Sequence, residues 1–158
     1  MFTDNTGLTT NGAVNTESIG GALYLIAENV TLVNILFYGN RAYFAGCIYI
    51  NMNNQKNYLN FTGYRLNFTK NYADNTGGAI FLDADIMSAD ILIAASVFSE
   101  NGASDCKKKI FYFWNFSDGG AVSTKFASLT TTLIFAYNMF VKNQAQFGGV
   151  MDLEHVIG

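Results

Sequence analysis

The spacing Phe-x-x-Asn occurs five times in 158 residues, at Phe2/Asn5, Phe37/Asn40, Phe68/Asn71, Phe98/Asn101 and Phe140/Asn143. Ala stands two places after the Asn in four copies, as Ala42, Ala73, Ala103 and Ala145, and Gly7 takes that place in the first. Each copy is followed by a glycine pair, a small residue and an aliphatic one. These runs are Gly20-Gly21-Ala22-Leu23, Gly77-Gly78-Ala79-Ile80, Gly119-Gly120-Ala121-Val122 and Gly148-Gly149-Val150-Met151, with Ala45-Gly46-Cys47-Ile48 as a degenerate member. Self-similarity at a period of roughly 30 residues restricts the fold to units that stack on copies of themselves.

Aligning the copies separates inside from outside. After the glycines one column reads Leu23, Ile48, Ile80, Val122, Met151, and the column two places on reads Leu25, Ile50, Leu82, Thr124, Leu153. The column between them, Tyr24, Tyr49, Phe81, Ser123, Asp152, varies in polarity. Apolar alternating with variable is the period of a strand with one buried face. Seven places before each Phe stand Val30, Phe61, Ile91 and Leu133, and five places before stand Leu32, Gly63, Ile93 and Phe135. Two or three short strands cannot bury their own apolar faces, so successive units must pair in parallel. The expected fold is all-β: a single-stranded parallel β-helix solenoid of about five rungs, each of ~30 residues. The five Phe and five Asn become structural ladders, each Asn sitting at a bend where its amide satisfies backbone groups and the next Asn. The chain 1–158 reads as one repeat domain, with insertions at about 6–19 and 102–118.

Composition agrees and removes other classes. Charged residues are 13%, Pro is absent, and Gly is abundant, which favours strands and tight turns. A net charge of −3 argues against nucleic acid as a partner. The uncharged stretch Phe126–Val141 is too short and too polar to span a bilayer, and Met1–Asn5 shows no signal-peptide pattern.

The pairing of Phe-x-x-Asn with Gly-Gly-Ala-[Ile/Leu/Val] resembles the repeats of the chlamydial polymorphic outer membrane proteins. It is also similar to repeats in very large surface proteins of ciliates and other protists. The resemblance runs from Phe2 to about Leu153. It implies a right-handed β-helical passenger or ectodomain, extracellular or at the cell surface, often adhesive and without catalytic residues. Ala45-Gly46-Cys47 departs from the glycine pair, and no translocator segment is visible.

Four Asn-x-Ser/Thr sequons make Asn29, Asn60, Asn67 and Asn115 candidates for glycosylation. Asn29 and Asn60 fall in one column beside inward Val30 and Phe61, so both should face outward. Tyr24, Tyr49 and Phe81 are expected to form an outward aromatic row suited to carbohydrate or protein contact. Lys107, Lys108 and Lys109 form a basic run in the second insertion, before the aromatic stretch Ile110–Trp114, and add a possible contact loop. Cys47 and Cys106 fall on rungs two apart and are expected unpaired, since a disulfide needs Cα atoms within about 7 Å. Asp83, Asp85 and Asp90 are the one acidic cluster, far short of a calcium loop. His155 is the one histidine and has no partner at a recognisable spacing. No cofactor or metal is expected.

The function expected is a structural or adhesive stretch of an extracellular rod or fibre. Its expected partners are the rest of a longer chain or copies stacked end to end, with glycans or surface proteins as further ligands. The alternative is a pectate-lyase-like enzyme degrading polysaccharides on the same architecture. That alternative needs several carboxylates converging with Arg or Lys on one groove, whereas the arginines are Arg41 and Arg65 and the acids are scattered. The chain opens on a motif and stops partway through a unit, so a fragment of a longer solenoid, or an end-stacking subunit, is expected.

Overall fold

The computed structural model describes residues 1–6, 18–51, 58–84, 88–103, 119–126, 130–145 and 148–155. Among them the chain is strand and turn without helix. It opens with β1 (Phe2–Thr3) and β2 (Leu23–Leu25). A set of four follows: β3 (Asn29–Val33), β4 (Leu36–Tyr38), β5 (Arg41–Phe44) and β6 (Ile48–Asn51). The set recurs as β7 (Tyr58–Tyr64), β8 (Asn67–Thr69), β9 (Tyr72–Thr76) and β10 (Ile80–Ala84), then as β11 (Ser88–Ala94), β12 (Val97–Ser99), β13 (Gly102–Ala103) and β14 (Val122–Phe126). The last described strands are β15 (Thr130–Ala136), β16 (Met139–Val141) and β17 (Met151–His155).

Equivalent strands pair in parallel and build four sheets, ordered β1-β4-β8-β12-β16, β2-β6-β10-β14-β17, β3-β7-β11-β15 and β5-β9-β13. Register follows the aligned columns: Leu23 pairs Ile48, Ile48 pairs Ile80, Ile80 pairs Val122 and Val122 pairs Met151. The architecture is all-β, with parallel strands in stacked sheets, consistent with a β-helix. Gly102 and Ala103, expected at the start of an insertion, instead pair with Tyr72 and Ala73 as β13. No helix of the described residues is long and apolar enough to cross a membrane.

One face of each of the first three sheets closes on a shared interior. Phe37, Phe61, Phe68, Phe98, Ile48, Ile50, Leu59, Ile80, Leu82 and Ile91 are all buried there. Gly63 lies between Leu32 and Ile93 in its ladder and would leave a gap. Leu66 fills it: its Cδ1 lies 2.9 Å from where a Gly63 Cβ would stand. One buried polar side chain in the apolar columns is unpaired. Thr124 is 1% exposed and its hydroxyl has no partner among the described residues. A buried hydroxyl without a hydrogen bond is destabilising. Thr124→Val is therefore expected to raise stability by about 1 kcal/mol, moving the thermal midpoint up by about 2–4 °C in a calorimetric scan.

The chain turns at three left-handed corners per repeat. The first lies three residues before the motif Phe, at Asn34, Arg65, Ala95 and Tyr137, with φ of 51–55°. The second lies two residues after it, at Asp4, Gly39, Lys70, Glu100 and Lys142. The third is the first residue of the glycine pair, where Ala45 replaces glycine in the second copy. A non-glycine residue in this conformation costs roughly 1–2 kcal/mol. It persists because hydrogen-bonded strands on both sides of each corner fix the backbone.

Candidate functional site

Two ladders run through the stacked repeats and set the geometry of everything outside them. Phe2, Phe37, Phe68, Phe98 and Phe140 stand in register on five neighbouring strands. Their rings stack with centroids 5.2, 4.9, 4.8 and 4.9 Å apart in succession and lie within 5–14° of parallel. The ring spacing is the strand spacing, so one residue type at this position satisfies every level at once.

The asparagines form the polar counterpart. Nδ2 of Asn5, Asn40, Asn71 and Asn101 donates to Oδ1 of the next asparagine at 2.8–3.0 Å. That same Oδ1 accepts the backbone N–H of the preceding asparagine at 3.0–3.1 Å. The second Nδ2 hydrogen goes back to a phenylalanine carbonyl, from Asn40 to Phe2, Asn71 to Phe37, Asn101 to Phe68 and Asn143 to Phe98. Asn40 and Asn71 are fully buried, and Asn101 nearly so, with all amide groups paired. The alanines after them, Ala42, Ala73 and Ala103, are buried in their own register.

Sequence reasoning missed a second, shorter polar column. Two places before the motif Phe stand Ile35, Leu66, Ser96 and Asn138. Leu66 N–H donates to Ser96 Oγ at 3.0 Å, Ser96 N–H to Asn138 Oδ1 at 2.9 Å, and Asn138 Nδ2 to the Ile93 carbonyl at 2.7 Å. The change from apolar to polar down that column was the available signal. Sequence reasoning also missed the Arg41–Asp74 pair, in which Nη2 and Nε reach the two carboxylate oxygens at 2.7 and 3.1 Å. The hydrogen bond to Asp74 raises the Arg41 pKa, and the guanidinium lies over the Tyr72 ring at 5.1 Å.

The outward aromatic row takes a different form from the one expected. Tyr24, Tyr49 and Phe81 do share a column, and Tyr24 stacks on Tyr49 at 5.6 Å. Only Tyr24 is open, at 46% exposure, against 6% for Tyr49 and 7% for Phe81. Phe44 and Ala45 at the adjacent corner pack with them as a second, smaller apolar cluster. Tyr49 and Phe81 are therefore structural, and the contact surface they were expected to offer reduces to Tyr24.

Of the acidic residues singled out by sequence, Asp83 and Asp90 are engaged with neighbours. Asp83 accepts the Tyr49 hydroxyl at 2.7 Å and Asp90 accepts that of Tyr58 at 2.7 Å. Burial, then the bond to Asp83, pushes the Tyr49 phenol well above its ordinary range. The bond to Asp90 raises the exposed Tyr58. Among the described residues no three His, Cys, Asp or Glu side chains cluster closely enough to hold a metal.

Asn29 and Asn60 pair directly across β3 and β7 and are exposed, as is Asn67 on β8. The Asn67 carboxamide oxygen accepts the hydroxyl of Thr69, its own sequon threonine, at 2.7 Å. Asp85, Cys106, Lys107, Lys108, Lys109, Asn115 and the side chain of His155 lie outside the described residues. Cys47 is a fully buried free thiol in the column of small residues, and burial raises its pKa well above the ordinary thiol value. Thiolate formation and access both govern reactivity. In a Cys106→Ser chain, Cys47 is expected to resist a thiol reagent at pH 8 until denaturant unfolds the protein. Labelling at the same rate in native buffer would contradict its placement.

Residues 65–83 match the family model of the Chlamydia polymorphic membrane protein repeat. The matched span holds one whole copy of the pattern, from Phe68 and Asn71 through Ala73 to Gly77-Gly78-Ala79-Ile80. The likeness is to a repeat of outer-membrane and surface-associated proteins. No curated protein and no solved structure matches the chain.

Proposed function

We propose that this chain is a non-catalytic stretch of a cell-surface or extracellular β-helical rod: a single-stranded parallel solenoid of about five rungs whose outer faces and insertions make adhesive contacts. Its hand is right-handed, as almost all parallel crossovers are. The observation that carries the reading is that the segment matching a surface-protein repeat coincides with one complete copy of the motif, and that the two neighbouring copies stack on that segment in register. In such an array the interior columns are fixed by stacking while outward positions vary freely. Among the described carboxylates, Asp74, Asp83 and Asp90 each accept a hydrogen bond, from Arg41, Tyr49 and Tyr58 respectively. They serve to tie neighbouring strands together, and this favours a binding role over hydrolysis. The contact elements are Tyr24, the exposed sequon faces and the insertions, with Lys107–Lys109 in the second. The glycan candidates remain Asn29, Asn60, Asn67 and Asn115.

The test is surface labelling. Antibodies to the chain should stain intact, unpermeabilised cells that produce it, and the purified chain should compete for their attachment to a surface or a neighbouring cell. Staining seen only after permeabilisation would overturn the proposal.

A further inference from the structure

The column that follows the motif asparagine reads Thr6, Arg41, Tyr72, Gly102, Gln144, and its members pair in register from level to level. Four of the five carry side chains. Gly102 has no left-handed φ, and a Cβ there would stand 3.1 Å from Tyr72 Cδ2 and 3.3 Å from Cε2, atoms of a ring that needs to give only slightly. The backbone therefore does not require glycine at 102. What the glycine creates is an Asn-Gly peptide inside the amide ladder. Glycine leaves its own backbone nitrogen unhindered, and an asparagine before glycine is the one most readily attacked by the nitrogen that follows it. In that reaction Gly102 N gives its proton to solvent base and bonds to Asn101 Cγ. A succinimide ring closes, and ammonia leaves, carrying Nδ2 and a proton regained from solvent. Water then opens the ring at either carbonyl, leaving aspartate or isoaspartate at position 101. Water is the one co-reactant.

The folded chain holds the reacting atoms apart. Gly102 N–H donates to the Asn71 carbonyl at 3.0 Å. Asn101 Oδ1 accepts the N–H and Nδ2 of Asn71, each at 3.0 Å. Asn101 Nδ2 donates to the Phe68 carbonyl at 2.9 Å and to Asn143 Oδ1 at 3.0 Å, and the residue is 1% exposed. Swinging Cγ over Gly102 N breaks all four side-chain bonds, so the ring closes only in chains that have opened there. The products do not fit the ladder. Aspartate sets a carboxylate against the Phe68 carbonyl and Asn143 Oδ1, both acceptors. Isoaspartate routes the backbone through the former side chain and displaces Gly102 and Ala103 from their pairing with Tyr72 and Ala73. We propose that Asn101-Gly102 is a deamidation site gated by the fold, silent while the amide ladder stands and able to make its opening permanent. Covalent modification of the unfolded chain is a general route to irreversible unfolding. In this protein the modified residue is itself a member of the ladder.

Peptide mapping by mass spectrometry of the 158-residue chain, held at mildly alkaline pH with and without guanidinium chloride, tests this. Conversion of Asn101 is expected to run at least about tenfold slower in native buffer than in denaturant. On return to buffer, only the unconverted fraction should regain its far-UV circular dichroism. Gly102→Ala should slow conversion in denaturant by about tenfold or more, because its Cβ hinders the attacking nitrogen, and should restore refolding after the same incubation. A second Asn-Gly pair, Asn11-Gly12, lies outside the described residues and is common to both chains, so refolding restored by Gly102→Ala isolates the ladder site. Equal rates at Asn101 in buffer and denaturant, or converted chains that refold like unconverted ones, would sink the proposal. Both readouts are made on the wild-type chain and decide it whether or not the variant folds.

Discussion

Asn71→Leu is expected to remove at least about 4 kcal/mol of stability, because it leaves several buried polar groups of the preceding repeat unpaired. Asn71 Oδ1 accepts the N–H and one amide hydrogen of Asn40, and Asn71 Nδ2 serves the Phe37 carbonyl. Leucine serves none of them. Each orphaned buried group costs roughly 1–3 kcal/mol, against a whole-domain stability of about 5–15 kcal/mol. Asn5→Leu, at the ladder's end, should cost no more than about 1.5 kcal/mol, since it removes one side-chain donor to Asn40 Oδ1 while the backbone N–H of residue 5 still donates to that oxygen. Asn71→Asp separates hydrogen bonding from packing. Its carboxylate would face the Phe37 carbonyl and Asn101 Oδ1, so burial raises its folded pKa above the unfolded value near 3.9. The neutral acid can still donate one bond. The variant should therefore be most stable at acid pH and lose stability as pH rises past about 4. Urea denaturation followed by circular dichroism reads all three, and equal effects at Asn5 and Asn71 would refute the ladder as the source of stability.

Gly78→Ala is the second large effect, at about 4 kcal/mol or more. The added Cβ would overlap the Gly120 carbonyl oxygen and stand 2.7 Å from the Gly102 backbone. Both obstacles are main-chain atoms of the next repeat, so no side-chain rotation relieves them, and the strands would have to separate. Gly149→Ala is the internal control. With 3.8 Å of clearance its effect on the dilute chain should fall within about 0.5 kcal/mol. Similar losses at Gly78 and Gly149 would mean that the glycines serve local turns and not close approach between levels.

Much of the fold was legible because interior positions in a stacked array tolerate few residue types. The alternation after each glycine pair showed which faces turn inward, and the register of Leu23, Ile48, Ile80, Val122 and Met151 follows from it. The corners were not legible. Arg65, Lys70 and Tyr137 carry no local preference for a left-handed conformation, and the paired strands beside them impose it. Tyr49 and Phe81 alternate as outward residues, and no period-two argument foresees that Phe44 and Ala45 at the next corner cover them. Gly63 looked like a weak point because its compensator, Leu66, reaches in from beyond a turn. The Arg41–Asp74 and Tyr58–Asp90 contacts join residues more than thirty positions apart, and only the register brings them together.

The superposition of the repeats is tested most directly by nuclear Overhauser effects among the rings of selectively labelled phenylalanines in solution. Centroids 4.9 Å apart between Phe37 and Phe68 and 4.8 Å apart between Phe68 and Phe98 require strong ring-to-ring cross-peaks for both pairs, and none between Phe37 and Phe98. Missing cross-peaks within either neighbouring pair, in a chain that is folded by other criteria, would contradict the stacked architecture.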